Sequence, residues 1–295
     1  MNIEKILILG SGTLGLRVGL QAAISGYEVV IYDLSEDVFD KAIEVHNNLL
    51  KSQVKKEIIQ EEDLDEIRKR ISWTTDLEQA CADPDLINES VTEDLAIKKE
   101  LWEKVGQLCP EKTIFTTNTS YLLPSMMADD SGRPEKFCAF HFHDVFWANV
   151  VDIMPHPGTD QEIIDILFEV GNRLNQTPVL VKKESSGYIF NSMLIALIGA
   201  AGALKTRDVA SIHDIDRSWM GNFKMESGPF GILDSVGLDT AWHIVKVRTD
   251  SKSKAFADFL KTYIDEGKLG IKTGEGFYKY PKPAFKEEGF IKGIQ

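Results

Sequence analysis

Little in this chain points to a disulfide scaffold, a membrane protein or a nucleic-acid binder. Only three cysteines occur among 295 residues, Cys81, Cys109 and Cys138. An odd, widely spaced set with no metal-type pairing fits a reducing compartment. No apolar run approaches the roughly 20 residues of a membrane span. The longest candidate, residues 193–204, is short and rich in Gly and Ala. The start, Met1-Asn2-Ile3-Glu4-Lys5, lacks a signal peptide's basic stretch and small-residue cleavage site, so a mature cytoplasmic protein is expected. Positive charge is also short: 33 Lys+Arg stand against 46 Asp+Glu, a formal charge of −13. Nucleic-acid binding calls for a basic footprint, so neither nucleic acid nor membrane is expected as a partner. A local basic pocket for a phosphorylated small molecule stays open.

What is present is globular: 43% hydrophobic and 27% charged residues in a length suited to one large domain or two ordinary ones. Ile6-Leu7-Ile8-Leu9 is a continuous apolar run, as expected of a strand buried on both faces. Residues 13–25 carry a helical period closed by Gly26, and Glu28-Val29-Val30-Ile31-Tyr32 follows as a second strand. Strand, helix and strand within about 30 residues make one βαβ unit, which implies a parallel sheet. Residues 35–70 read as a charged, partly apolar helical pair, an arm. Further strands are expected near 85–88, 113–116 and 179–181, with helices near 94–107 and 161–174. Residues 137–143 and 149–154 are apolar runs separated by a short turn, which suggests an antiparallel pair. Beyond Gly187 the periodicity is helical. The expected division is residues 1–183 as an α/β domain with a parallel sheet and 184–295 as an all-α domain.

Gly10-Ser11-Gly12-Thr13-Leu14-Gly15 is a G-x-G-x-x-G that follows a strand and opens a helix. The first glycine permits the tight turn, Gly12 lets backbone approach a pyrophosphate, and Gly15 lets helix and strand pack closely. The helix N-terminus supplies donors and partial positive charge for the phosphates. Asp33 ends the second strand, eighteen residues past Gly15, close to the spacing of about 20 at which an acidic residue meets a ribose. A carboxylate there accepts from the 2′-hydroxyl and repels a 2′-phosphate. The next residues are Leu34 and Ser35 rather than Arg, so NAD is favoured over NADP.

With that fingerprint, Asn118-Thr119-Ser120, His141-Phe142, Gly187-Tyr188-Ile189-Phe190-Asn191, Gly228-Pro229-Phe230-Gly231-Ile232-Leu233-Asp234 and Lys272-Thr273-Gly274-Glu275-Gly276-Phe277-Tyr278 occur in order. Together they resemble the L-3-hydroxyacyl-CoA dehydrogenase family nearly end to end. Met154-Pro155-His156-Pro157 and Asn191-Ser192-Met193-Leu194 are also similar to relatives acting on free acids, diketoreductase and L-gulonate 3-dehydrogenase (lambda-crystallin). The resemblance implies a doubly wound Rossmann-type sheet with a helical arm, followed by an all-α C-terminal domain that forms a homodimer. It implies His141 as acid/base, with Ser120 and Asn191 at the substrate oxygens and nicotinamide. It implies Glu93, Lys98 and Lys272 at the cofactor, and Lys56, on the arm, at the CoA portion of an acyl-CoA.

The residues support such chemistry directly. Oxidising a secondary alcohol needs a hydride acceptor and a base, and histidine offers both protonation states near neutrality. Of six histidines, His141 ends an apolar strand, at the edge where parallel sheets meet ligands. A turn over residues 145–148 would set His141 opposite Asp152, and an ionised carboxylate there fixes the ring's tautomer. Asp144, three residues from His141, is a rival; Asp152, flanked by Val150, Val151, Ile153 and Met154, is preferred. Two features depart from the resembled family. Its orienting residue is usually Glu, and it commonly reads His-Phe-Phe-Asn-Pro where this chain has His141-Phe142-His143-Asp144-Val145. Both cast doubt on acyl-CoA specificity more than on hydride transfer. Ser120 could equally cap a following helix, and Asn191 could be a packing polar. Gly199-Ala200-Ala201-Gly202 suggests close helix packing, within the domain or in the dimer. The reading is an NAD-dependent L-3-hydroxyacyl-CoA dehydrogenase, with a reductase of free 3-oxo or diketo acids and a non-catalytic NAD-binding protein as the rivals.

If Asp33 selects the cofactor, Asp33→Ala should lose most of its preference for NADH over NADPH. Steady-state kinetics with both cofactors measure this, and an unaltered ratio would reject the assignment.

Overall fold

The computed structural model describes residues 1–293 and divides into two compact units, Met1–Ile189 and Phe190–Gln295. Residues 294 and 295 of the expected C-terminal domain lie outside the described residues.

The first unit runs β1 (Lys5–Leu9), α1 (Thr13–Ile24), β2 (Glu28–Tyr32), α2 (Phe39–Lys55), α3 (Leu64–Lys69), β3 (Ile71–Thr74), α4 (Leu77–Cys81), β4 (Leu86–Glu89), α5 (Leu95–Leu108), β5 (Ile114–Thr117), β6 (Phe137–Asp144), β7 (Ala148–Pro155), α6 (Gln161–Arg173) and β8 (Thr177–Leu180). These strands form one sheet in the order β3-β2-β1-β4-β5-β6-β7-β8. Pairing is parallel except between β6 and β7. The apolar run of β1 is continuous because both faces are covered. Ile6 and Ile8 enter a core with Val18, Leu20 and Leu167 on one side. Leu7 and Leu9 enter another with Trp102, Phe115 and Phe137, as the two-residue period of a strand requires. The order reverses direction between β1 and β4, and such a switch point opens a crevice at the strands' carboxyl ends. The sequence reading missed β3 and α4. β3 is a four-residue, partly exposed edge strand, Ile-Ser-Trp-Thr, too short to carry an alternation.

The second unit is helical: α7 (Phe190–Thr206), α8 (Ile212–Phe223), α9 (Pro229–Val236), α10 (Leu238–Val245) and α11 (Ser251–Asp265). Part of the small-residue stretch on α7 serves packing inside this unit. A Cβ on Gly202 would lie 2.5 Å from the Phe256 ring of α11, whereas one on Gly199 meets nothing within 4 Å. Among the described residues no helix is long and apolar enough to cross a membrane.

Two enclosed carboxylates tie the second unit together. Asp216 accepts from the backbone N–H groups of Phe230 (2.9 Å) and Gly231 (3.0 Å), capping α9, and from the Tyr278 hydroxyl (2.8 Å). Asp234 accepts from Phe277 N (2.8 Å), Tyr278 N (2.9 Å) and the Tyr280 hydroxyl (3.0 Å). Burial outweighs these donors at Asp216 and pushes its carboxyl up to about 6. A carboxyl raised in the folded state takes up a proton there before it does so in the unfolded chain. Its contribution to stability therefore improves as pH falls from 7 through 6. Urea unfolding should show the unaltered chain gaining on Asp216→Asn between pH 7 and pH 5; a gap independent of pH would remove Asp216 as the source.

Candidate active site

The connection from β1 to α1, residues 10–15, is shaped at Gly10 and Gly15 by contacts that leave no room for a side chain. Gly10 has φ +101°, and a Cβ there would lie 2.8 Å from Ser90 O. On Gly15 it would lie 2.1 Å from Gly10 O. Gly12 precedes Thr13 and Leu14 at the start of α1, where no side chain caps the helix and no acidic residue sits in the first turn. Those amides are suited to an anion. Asp33 is held at the loop by Ser11, whose N–H (2.7 Å) and hydroxyl (2.5 Å) both donate to Oδ2, while Leu34 N donates to Oδ1 at 2.7 Å. A tight glycine cradle beside a fixed carboxylate fits a dinucleotide with a free ribose 2′-hydroxyl.

One strand further, Lys98 is 1% exposed, and its ammonium lies 2.5 Å from Glu89 Oε1 and 3.5 Å from Glu93 Oε2. Glu89, fully buried, also accepts from the Thr117 hydroxyl (2.7 Å) and Val91 N (2.9 Å). Glu93 grips the loop after β5: its Oε1 accepts from Ser120 N (3.1 Å), Tyr121 N (3.2 Å) and the Thr119 hydroxyl. So Lys98 sits inside an ion pair, and Glu93 holds Ser120.

The loop delivers Ser120 to His141. Ser120 Oγ is 3.2 Å from His141 Nε2, and His141 Nδ1 is 3.2 Å from Asp152 Oδ2. The pairing of β6 with β7 matches His141 to Asp152, as the turn over residues 145–148 predicts. Asp144 is engaged elsewhere: it pairs with Arg17 of α1 and accepts from Phe146 N (2.9 Å) and Trp147 N (3.1 Å), closing the turn. Tyr188 stacks on the His141 ring at 4.4 Å and 14°, and its hydroxyl donates to Thr119 O at 2.7 Å. Asn118 Oδ1 accepts from Phe142 N at 2.8 Å, steadying the same strand.

Sequence reasoning passed over His143 as a partner of this group. Its Nε2 lies 2.9 Å from Asp152 Oδ2, the oxygen that His141 also uses. The signal was available: His143 is two residues from His141, hence on the same face of β6. The polar atoms of His141, His143 and Asp152 lie within 4.8 Å of one another, and the contacts to Asp152 are those of a hydrogen-bonded triad. An ionised carboxylate only accepts, so both ring nitrogens facing it carry protons. That leaves His141 Nε2 without a proton in the neutral ring, receiving the Ser120 hydroxyl. Burial would raise Asp152, but hydrogen bonds from the two histidines hold it below its usual value. Burial lowers His141, partly opposed by Asp152. Burial thus favours the neutral imidazole, and the carboxylate 3.2 Å from Nδ1 is placed to stabilise a charged one.

The remaining expected residues lie elsewhere on their units. Lys56 is exposed at the C-terminal cap of α2, next to exposed Lys55 and one turn from Lys51. Asn191 lies in the first turn of α7, and Lys272 binds both oxygens of Asp239 at 2.6 Å.

Residues 5–185 match the family described as 3-hydroxyacyl-CoA dehydrogenase, NAD binding domain, and residues 187–280 match its C-terminal domain. The chain is 31% identical over 292 residues to the mitochondrial hydroxyacyl-coenzyme A dehydrogenase of Sus scrofa, covering 94% of this chain and 91% of that one. It is 32% identical over 283 residues to the 3-hydroxybutyryl-CoA dehydrogenase of Clostridioides difficile, covering 94% and 100%. Among solved structures it is similar to a diketoreductase described with dicarbonyl compounds, at TM-score 0.89 and 38% identity over 95% of this chain and 100% of that one.

Removing the Lys98 ammonium should leave Glu89 enclosed without its counter-charge. Lys98→Met is expected to lower unfolding free energy by about 3–5 kcal/mol in a urea titration. A loss below about 1 kcal/mol, the scale of exposed pairs, would mean the pair is not structural.

Proposed function

The chain belongs to the 3-hydroxyacyl-CoA dehydrogenase family, an NAD-dependent oxidoreductase family, and on that premise we propose that it interconverts an L-3-hydroxyacyl-CoA and the 3-oxoacyl-CoA. The observation that carries this reading is the Ser120–His141–Asp152 chain at the carboxyl edge of the same sheet that bears the glycine cradle. NAD, when bound, supplies the hydride acceptor for alcohol oxidation and, reduced, the donor for the reverse. The turn over Gly10, Gly12, Thr13, Leu14 and Gly15 would hold its diphosphate, and Asp33, fixed by Ser11, its adenine-side ribose.

In the oxidative direction His141 Nε2 takes the hydroxyl proton, and Asp152 steadies the charge the ring acquires. Ser120 Oγ, within reach of the same nitrogen, donates to the oxygen as it becomes a ketone. In reduction the imidazolium returns that proton. Burial of His141 favours the neutral ring and so makes proton return easy, while Asp152 keeps the charged ring accessible. Glu93 keeps Ser120 in place. Asn191 would bind the substrate oxygens, Lys272 the cofactor, and Lys56 the CoA phosphates. The same reading includes a cytoplasmic homodimer. Three free, buried cysteines support a reducing compartment, and exposed Phe223, Met225 and Ile291 support an apolar contact surface on the second unit.

A second reading, reduction of a free 3-oxo or diketo acid, is favoured by the 38% identity to the diketoreductase structure. It is also favoured by His143 and Asp144 in place of the Phe and Asn common in the resembled family. NADH oxidation with acetoacetyl-CoA, free acetoacetate and a 3,5-diketo ester separates the two. Preference for the thioester supports the first, and preference for a free acid or ester moves the protein to the second. Activity with none despite tight NADH binding supports a non-catalytic role. In either enzyme reading His141→Ala should lower kcat by about 10²–10⁴-fold with NADH affinity retained. Unchanged turnover would remove His141 as the acid/base.

A further inference from the structure

We propose that His143 is a positioning residue for this reaction: by donating to the Asp152 oxygen that His141 uses, it divides the carboxylate between two rings and sets the pH at which His141 exchanges its proton. The inference rests on the reading of His141 as acid/base.

The geometry makes the sharing unequal. His143 Nε2 is 2.9 Å from Asp152 Oδ2 and His141 Nδ1 is 3.2 Å from it. One oxygen with two lone pairs accepts both donors, but each donor sees less negative charge than it would alone. The two rings meet edge to face at 4.7 Å, so a proton gained by one raises the cost of a second on the other. His143 reaches Asp152 although Asp152 is registered opposite His141. The pairing is irregular between Phe142 and Asp144, the kind of place where a bulge re-aims a side chain. Asp in the orienting position keeps the carboxylate close to β7, short of the extra methylene that Glu would provide.

Other groups facing His141 do not share this action. Ser120 Oγ lies at the opposite nitrogen, 3.2 Å from Nε2. Tyr188 stacks on the ring face with its hydroxyl committed to Thr119 O. Glu93 sits behind the Ser120 loop, and its charge favours the imidazolium. Asp152 favours it too, and His143 is the group among these that opposes it. Without His143, the undivided carboxylate would hold the proton on His141 more strongly. The ring would then titrate at higher pH.

The test is His143→Phe, which places there the side chain common in the resembled family, beside His143→Gln, which keeps a donor without a titrating ring. The acid limb of kcat/KM for alcohol oxidation should move up by about half to one pH unit in His143→Phe, within the range of such charge effects. It should stay nearer its original position in His143→Gln. NMR titration of the His141 ring in the free protein should move the same way, and this readout does not depend on turnover. A His141 titration that is unmoved in folded His143→Phe, or that moves as far in His143→Gln, overturns the proposal. Should His141→Ala retain turnover, the acid/base reading fails instead, while the ring titrations still decide whether His143 governs His141.

Discussion

A carboxylate enclosed on a strand needs donors in place of the water it has given up, and burying it unpaired would cost several kcal/mol. Asp152, 1% exposed on β7, draws them from two histidines of β6. That demand fixes much else. It sets the proton positions on both rings, turns the Nε2 of His141 toward Ser120, and requires β6 and β7 to pair in one register. A slip by one residue would send Asp152 to the opposite face of the sheet and leave His141 alone. Tyr188, stacked on the ring and bonded to Thr119 O, and Glu93, gripping the Ser120 loop, hold the other end of the chain.

The same constraint recurs wherever this acidic protein encloses a carboxylate, with different outcomes. Glu89 is answered by a full charge, the Lys98 ammonium, and by the Thr117 hydroxyl. Asp216 and Asp234 are answered by backbone N–H groups and tyrosine hydroxyls, and without a cation both are raised by burial. Asp152 stands between these cases: two imidazole nitrogens answer it, in place of a fixed cation or backbone N–H groups. The Glu89–Lys98 pair, by contrast, is suited to holding β4 and α5 together.

The parts of the fold legible in the sequence were those written in continuous local pattern. The apolar run of β1 and the glycine turn into α1 identify the cofactor end, and the two apolar runs around residues 145–148 give the β6–β7 register that brings Asp152 to His141. What escaped depended on contacts far along the chain. β3 is short and partly exposed, so no alternation marks it. Glu93 and Lys98 were visible only through family resemblance. Their local role, clamping a loop and balancing Glu89, arises from β4, α5 and the segment after β5 being brought together by the sheet. His143 escaped for another reason: its spacing from His141 was in plain sight, but a second histidine on one carboxylate becomes visible only as a distance.

The departures from the resembled family can be read as one adjustment. An Asp at 152 is shorter than Glu, and a carboxylate drawn back toward β7 comes within reach of a side chain that a Phe at 143 could not provide as a donor. At 144, Asp in place of Asn gains a cation, Arg17 on α1, and ties the turn after β6 to the helix that begins at the glycine cradle. The changes at 143 and 144 replace a neutral side chain by a titratable or charged one, beside a Ser120–His141 contact of 3.2 Å. The departures at 143 and 144 therefore change the polarity beside His141 and leave its contact with Ser120 in place.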